Sequence, residues 1–151
     1  MKRELAYFME ALKEKGIRLT RQREAIIKVL LDAERPITAL HIFLQLENEY
    51  PKLQLSTIYR NLNNFENCGV VRKMDLDINN KESYFELVLG EHHHHLICIK
   101  CDDIVPLDCP LQEYEKKIMR ETDYTIIDHK IKLFGICPRC RDKKKTRKCE
   151  S

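Results

Sequence analysis

Four of the seven cysteines fall in two Cys-x-x-Cys pairs, Cys98/Cys101 and Cys137/Cys140. Zinc favours four soft ligands in a tetrahedron, and a tight Cys-x-x-Cys turn aims two thiolates at one ion. Two such turns from distant parts of the chain make a closed structural zinc site. A redox dithiol needs only one pair and a thioredoxin-like setting, and an iron–sulfur cluster is the other use of four thiolates; the doubled spacing favours zinc over both. A site of this kind contributes on the order of 10 kcal/mol, comparable to the whole stability of a small domain. An odd cysteine count excludes complete pairing within one chain, and without a secretion signal paired cysteines read as metal ligands before disulfides.

Directly before the first pair stands His92-His93-His94-His95. It leads into Leu96-Ile97-Cys98-Ile99, an apolar run that reads as a strand. Side chains alternate along a strand, so His92 and His94 point to one face and His93 and His95 to the other. Two metal positions, one per face, become possible. Each needs further ligands, and the candidacy of Glu86 upstream and of Glu113 and His129 downstream rests on the family resemblance given below. A zinc hydrolase or deaminase is an alternative use of His, Glu and Cys-x-x-Cys. It needs an open coordination position and a general base, and the His-x-Glu with Pro-Cys-x-x-Cys of the deaminases is missing. A zinc-ribbon interaction module without regulation is the other alternative.

The elements that must position these ligands divide the chain in two. In the first half, Leu5, Phe8, Met9 and Leu12 recur at helical spacing up to Gly16. Thr20 caps a second helix with Ala25, Ile26, Val29 and Leu30 on one stripe, and Arg35-Pro36 ends the turn after it. Thr38 caps a third helix, Ile37 and Ile42 closing a hydrophobic staple, and that helix breaks before Pro51. Ser56 caps a fourth, with Ile58, Leu62 and Phe65 inward and Gly69 at its end. Val70–Met74 and Ser83–Phe85 then read as two strands around a polar turn at Asp77, Ile78, Asn79 and Asn80. Short helices followed by a β-hairpin is the order of a winged helix-turn-helix. The outer face of the fourth helix offers Ser56, Arg60 and Asn63, with Tyr59 at its flank, to a major groove.

In the second half, Leu111–Thr122 is expected to be a helix with Leu111, Tyr114 and Ile118 as its apolar face, and Tyr124–Ile127 and Lys130–Phe134 are expected to be strands. The expected fold class is therefore α+β: a winged helix over 1–83, a small α/β domain with structural zinc over 84–141, and a flexible basic tail over 142–151. Of the 151 residues 34% are charged, and the net charge of +3 alone does not argue for nucleic acid. Basic residues cluster instead, at Lys13, Lys15, Arg18, Arg21 and Arg23, and in the tail. No window approaches the ~18 apolar residues of a membrane span, and a cytoplasmic protein without a membrane or small organic substrate is expected.

Several segments together carry a resemblance to a known family. Gly16-Ile-Arg-Leu-Thr-Arg-Gln-Arg23, Ser56-Thr57-Ile-Tyr-Arg-Asn-Leu62, Ser83-Tyr-Phe-Glu-Leu87, Glu91-His-His-His-His-Leu-Ile-Cys-Ile-Lys-Cys101, His129 and Gly135-Ile-Cys-Pro-Arg-Cys140 resemble the ferric uptake regulator family, in its order and spacing. The resemblance implies a homodimeric repressor that binds A/T-rich palindromic operator DNA when loaded with metal. It implies structural zinc on Cys98, Cys101, Cys137 and Cys140. It implies a regulatory site on Glu86, His93 and His95, and an additional site on His92, His94, Glu113 and His129. Tyr59 and Arg60 match the family's DNA-contacting pair, Arg18 its minor-groove arginine, and Ser56, Thr57 and Asn63 accompany them. Pro36 stands where many relatives carry a regulatory histidine, with His41 some residues on, and Pro106 where many carry an acid. Asp108-Cys109-Pro110 resembles an element of some zinc-uptake regulators, which puts zinc ahead of iron as the regulatory metal, with manganese compatible. The peroxide-sensing branch would use Asp at Glu86.

Overall fold

Two threonines start helices where the sequence places them. The Thr20 side chain accepts from the Arg23 amide at 3.3 Å and opens α2 (Arg21–Asp32); Thr38 accepts from the His41 amide at 3.1 Å and opens α3 (Ala39–Leu46). Each satisfies an N–H that the first turn leaves without an intrahelical partner. The computed structural model describes residues 2–75, 82–90 and 93–146, the last four of these by backbone alone. It divides into two units, Met1–Leu89 and Gly90–Ser151.

The first unit begins with α1 (Lys2–Glu14), which buries Phe8 and Leu12. Gly16 ends it, with φ +78°. The Gly16 amide donates to the Lys13 carbonyl at 2.9 Å and that of Ile17 to the Leu12 carbonyl at 3.0 Å, the paired bonds of a Schellman cap. The same cap closes α4 (Leu55–Asn67) at Gly69, φ +73°. Helix α4 starts at Leu55 after Gln54, so Ser56 is a first-turn residue and not the cap expected of it. Ile26, Ile27, Ile42, Ile58, Leu62 and Phe65 meet in one apolar core. That core is closed by a sheet of order β1–β3–β2, antiparallel throughout, from β1 (Ile37–Thr38), β2 (Val71–Asp75) and β3 (Ser83–Leu87).

Strand β3 is the middle of that sheet. The first unit keeps this strand and runs on through Leu89, beyond the expected edge at residue 83. Strand β1 was not visible in the pattern, since two residues are too short for a period. The turn expected at Asp77–Asn80 lies outside the described residues.

The second unit is a sheet of order β5–β4–β6 with two helices. Strand β4 (His93–Cys98) is central, antiparallel to β5 (Ile104–Asp108) and parallel to β6 (Lys132–Gly135). Helix α5 (Gln112–Thr122) follows β5, and α6 (Pro138–Thr146) follows β6. One expectation is corrected here. Tyr124–Ile127 forms no strand: no neighbour pairs with it among the described residues, and Tyr124 and Ile127 are 75% and 95% exposed. The segment from residue 142 begins as helix, because Pro138 is suited to a first helical position and the residues after it are good helix formers. Arg147, Lys148 and Cys149 lie outside the described residues.

Candidate metal centres and nucleic-acid interface

Parallel pairing of β4 with β6 sets the sulfur site. Cys98 is in register with Gly135, and the Ile99 amide donates to the Gly135 carbonyl at 2.9 Å, so Cys137 lies just beyond the end of Cys98's own strand. Cys101 is turned back by a tight loop in which the Asp102 amide donates to the Cys98 carbonyl at 2.9 Å, Asp102 taking φ +56°. Cys140 stands in the first turn of α6. The four sulfurs lie within 4.8 Å of one another, with Cys101 and Cys137 at 3.7 Å. A tetrahedral zinc with bonds of ~2.3 Å sets its sulfurs roughly 3.8 Å apart, so this donor set fits the ion.

Electrostatics favour a cation there. The Cys137 amide donates to Cys98 Sγ at 3.2 Å, and this bond leads in holding the Cys98 thiol down to about 6, against the pull of burial. Cys140 is pushed up to about 12, first by the Cys137 sulfur, then by that of Cys101, then by burial. One negative sulfur is stabilised and the next is resisted. A divalent ion removes the conflict and lets all four ionise.

The histidine strand presents two faces as its period requires. The rings of His93 and His95 stand edge-on at 4.9 Å on one side. His94, 4% exposed, faces the other way, its Nε2 2.8 Å from Nε2 of His129, with ring centroids 4.8 Å apart. His92 lies outside the described residues. Glu86, on β3 of the first unit, has a mostly covered side chain, and Arg72 on the neighbouring strand holds its carboxylate at 3.5 Å.

Glu113 does not join His94 and His129. Its side chain is 84% exposed and bonded to Lys116 at 2.7 Å. The carboxylate against His129 Nδ1 is that of Glu115. Residues two apart on a helix lie on roughly opposite sides, so a helix that turns Glu115 inward turns Glu113 out. The signal was present in the sequence: Glu115 falls on the stripe of Leu111 and Ile118, where a carboxylate has reason to be only if something answers it. Cys109, one residue past β5, is the other unexpected member, its Sγ 3.3 Å from His129 Nε2. It belongs to the His94 face, so its thiol does not bear on the metal preference of the His93–His95 face. His41 is exposed on α3, 2.7 Å from the Gln45 amide nitrogen, and joins no ligand group among the described residues.

The polar face of α4 is exposed at Ser56, Tyr59, Arg60 and Asn63, while Thr57 is half-buried. Arg18 is exposed in the link between α1 and α2. Two residues tie link and helix together. Arg23 donates from Nε to Asn61 Oδ1 at 2.9 Å and from Nη1 to the Arg18 carbonyl, and Asn61 donates from Nδ2 to the Thr57 carbonyl at 2.9 Å. Arg23, counted above with the basic cluster, is thus an internal bracket. The buried Asn61 on an otherwise apolar helix face was its sequence signal.

Known proteins place this architecture. The chain is 33% identical over 141 residues to the peroxide-responsive repressor PerR of Staphylococcus aureus, covering 93% of each chain. The structure of the Vibrio cholerae ferric uptake regulator matches with a TM-score of 0.72 at 29% identity, over 85% of this chain and 98% of that one. The Helicobacter pylori ferric uptake regulator matches with a TM-score of 0.80 over 91% and 93%, its 22% identity bearing on the fold alone. These relatives are regulators rather than enzymes. A profile described as the ferric uptake regulator family matches residues 14–134, stopping short of Cys137 and Cys140, whose place in the sulfur site therefore rests on geometry. A match over most of its length, carried through winged helix and histidine strand alike, makes this chain a member of the ferric uptake regulator family.

Proposed function

We propose that this protein is a metal-dependent transcriptional repressor that binds A/T-rich palindromic operator DNA as a homodimer. The observation that carries the reading is the pairing of His93 with His95 on one face of β4, in a chain whose α4 exposes Tyr59, Arg60 and Asn63. The family resemblance assigns Glu86, His93 and His95 to the regulatory metal, and Cys98, Cys101, Cys137 and Cys140 to structural zinc. The metal favours one arrangement of the DNA-binding units over others, so that recognition helices meet half-sites about one helical turn, or a multiple of it, apart.

Homodimerisation is supported by the second unit's surface. Strands β5 and β6 are both sheet edges, and Val105, Tyr124, Ile127, Leu133, Phe134 and Ile136 are all more than 40% exposed. So much apolar surface on so small a unit marks an interaction face.

Glu with two His suits Zn(II), Fe(II) and Mn(II) alike, and affinity for such a site rises from Mn(II) through Fe(II) towards Zn(II). Zinc is therefore placed first and iron second. The test is an electrophoretic shift on an A/T-rich palindrome, with the cysteine site loaded throughout and the regulatory metal added or stripped. A metal-dependent shift lost in Glu86→Ala and His95→Ala is expected. Equal affinity with and without the added metal would sink the mechanism.

A further inference from the structure

Arg23 is a half-buried residue of α2 whose side chain reaches two other elements of the first unit. Its Nε donates to Asn61 Oδ1 on α4 at 2.9 Å, and its Nη1 to the Arg18 carbonyl in the link before α2. Both acceptors are neutral oxygens, and no carboxylate lies within ion-pair distance of this guanidinium among the described residues. The group is therefore not half of an ion pair; its planar fork of N–H groups acts as a strut of fixed geometry. Asn61 is 6% exposed and uses both ends of its amide. Oδ1 accepts from Arg23, and Nδ2 donates to the Thr57 carbonyl one turn back in α4 at 2.9 Å. Arginine only donates and a carbonyl only accepts, so the amide has one orientation.

The link has need of such a strut. Gly16 and Ile17 bond back to α1 and Thr20 begins α2, but the backbone of Arg18 and Leu19 makes no backbone–backbone hydrogen bond among the described residues. Without Arg23, the exposed Arg18 would swing on that short tether. On the other side, Asn61 directly follows the exposed Arg60, so the strut ends behind the polar face of α4. A side chain in a minor groove and a helix in the adjacent major groove read one site only if their separation matches the duplex. A separation fixed beforehand costs no ordering on binding.

We propose that Arg23 and Asn61 are positioning residues that set the distance between Arg18 and the recognition helix α4, so that preference for A/T pairs beside each half-site is a joint property of the two elements. The inference rests on the DNA-binding reading above and adds to it two residues that touch no DNA. A narrow A/T minor groove attracts arginine through its enhanced negative potential. Only an arginine held at the right depth and phase exploits that potential.

The test compares an A/T-rich palindrome that the metal-loaded natural chain binds with duplexes in which each flanking A·T pair is changed in turn to G·C. Fluorescence anisotropy is expected to show the natural chain preferring the unchanged duplex by about 10-fold at the most sensitive pair. Arg18→Ala loses that preference. Arg23→Lys keeps the positive charge without the fork, and Asn61→Leu keeps a branched, buried side chain without the acceptor; both are expected to fall to the preference of Arg18→Ala. An Arg23→Lys protein with the natural preference would make Arg23 a phosphate contact and overturns the proposal alone. Absence of metal-dependent binding by the natural chain removes the DNA-binding reading, and this proposal with it. A second measurement needs no DNA. In isotope-labelled protein followed by NMR, the Arg23 Nε–H is expected to exchange slowly with water and to lose that protection in Asn61→Leu, while core amides of α2 and α4 stay protected. Fast exchange of that proton in the natural chain overturns the proposal equally.

Discussion

The two units solve the problem of stability by different means. The first buries Phe8, Phe65, Phe85 and a set of Ile and Leu residues in a continuous apolar core. In the second, the buried described residues are Ile97, Cys98, Ile104, His94 and His95. Where the first unit puts methyl groups, the second puts thiols and imidazoles, and its apolar side chains are left largely at the surface. Small domains that cannot build a sufficient core are commonly held by metals or by partner chains. A domain held together by ions would also report on them in its folded state.

The sharpest way to break that comparison is to remove the sulfur site. Cys137→Ser, or exhaustive chelation, is expected to cost the second unit on the order of 10 kcal/mol, enough to unfold it. The first unit keeps its fold. Hydrogen exchange followed residue by residue separates the two: amides of β4 and β6 lose protection while those of α2 and α4 retain it. A Cys137→Ser protein with a protected β4 would mean that the second unit has a sufficient core after all.

The converse substitution is Phe65→Ala. This ring is fully buried where α4 meets the rest of the core, and truncating it costs about 3–5 kcal/mol. Thermal unfolding of the first unit shifts down accordingly, while the zinc content measured by mass spectrometry stays the same. Loss of zinc along with stability would show that the units do not hold themselves up separately.

The same contrast explains what was legible in the sequence. Helices α1 to α4 and the two Schellman glycines follow from local chemistry: apolar period, a threonine before the first turn, a glycine after the last. The two Cys-x-x-Cys turns and the alternation of the histidines are equally local. What was misread depends on partners distant in sequence. The Tyr124–Ile127 run has strand composition, but composition does not supply a neighbouring edge. Glu113 and Glu115 are equivalent as residue types, and helical phase alone separates them: Glu115 is turned inward to His129 and Glu113 outward to Lys116. Arg23 reads as surface charge until Asn61, 38 positions away, is brought beneath it.

Function sharpens the comparison further, because the first unit's exposed face can be altered without touching either core. Arg60→Ala is expected to weaken operator binding by about 1–3 kcal/mol and to relax sequence preference, with metal content unchanged. Arg23→Ala tests a different mechanism. It removes the bracket between the Arg18 link and α4, so its loss of affinity should be matched by Asn61→Ala and should add little in the double variant. Fluorescence anisotropy on one labelled operator measures all four proteins. Full additivity of Arg23→Ala and Asn61→Ala would mean that the two residues do not act through each other.

The smallest expected effect isolates backbone from packing. Gly69 ends α4 and leads into β2, with φ +73° and nothing within 4 Å of where a Cβ would stand. Gly69→Ala therefore meets no clash, and its cost is that of holding an L-residue in the left-handed region, roughly 1–2 kcal/mol. Gly69→Asn should cost less, because asparagine tolerates that region and is found at this helix position. Urea unfolding of the first unit, with the zinc site left intact, reads both variants. A loss several times larger would place a hidden steric contact at the start of the wing. A neutral Gly69→Ala would show that the cap is dispensable to a core as well packed as this one.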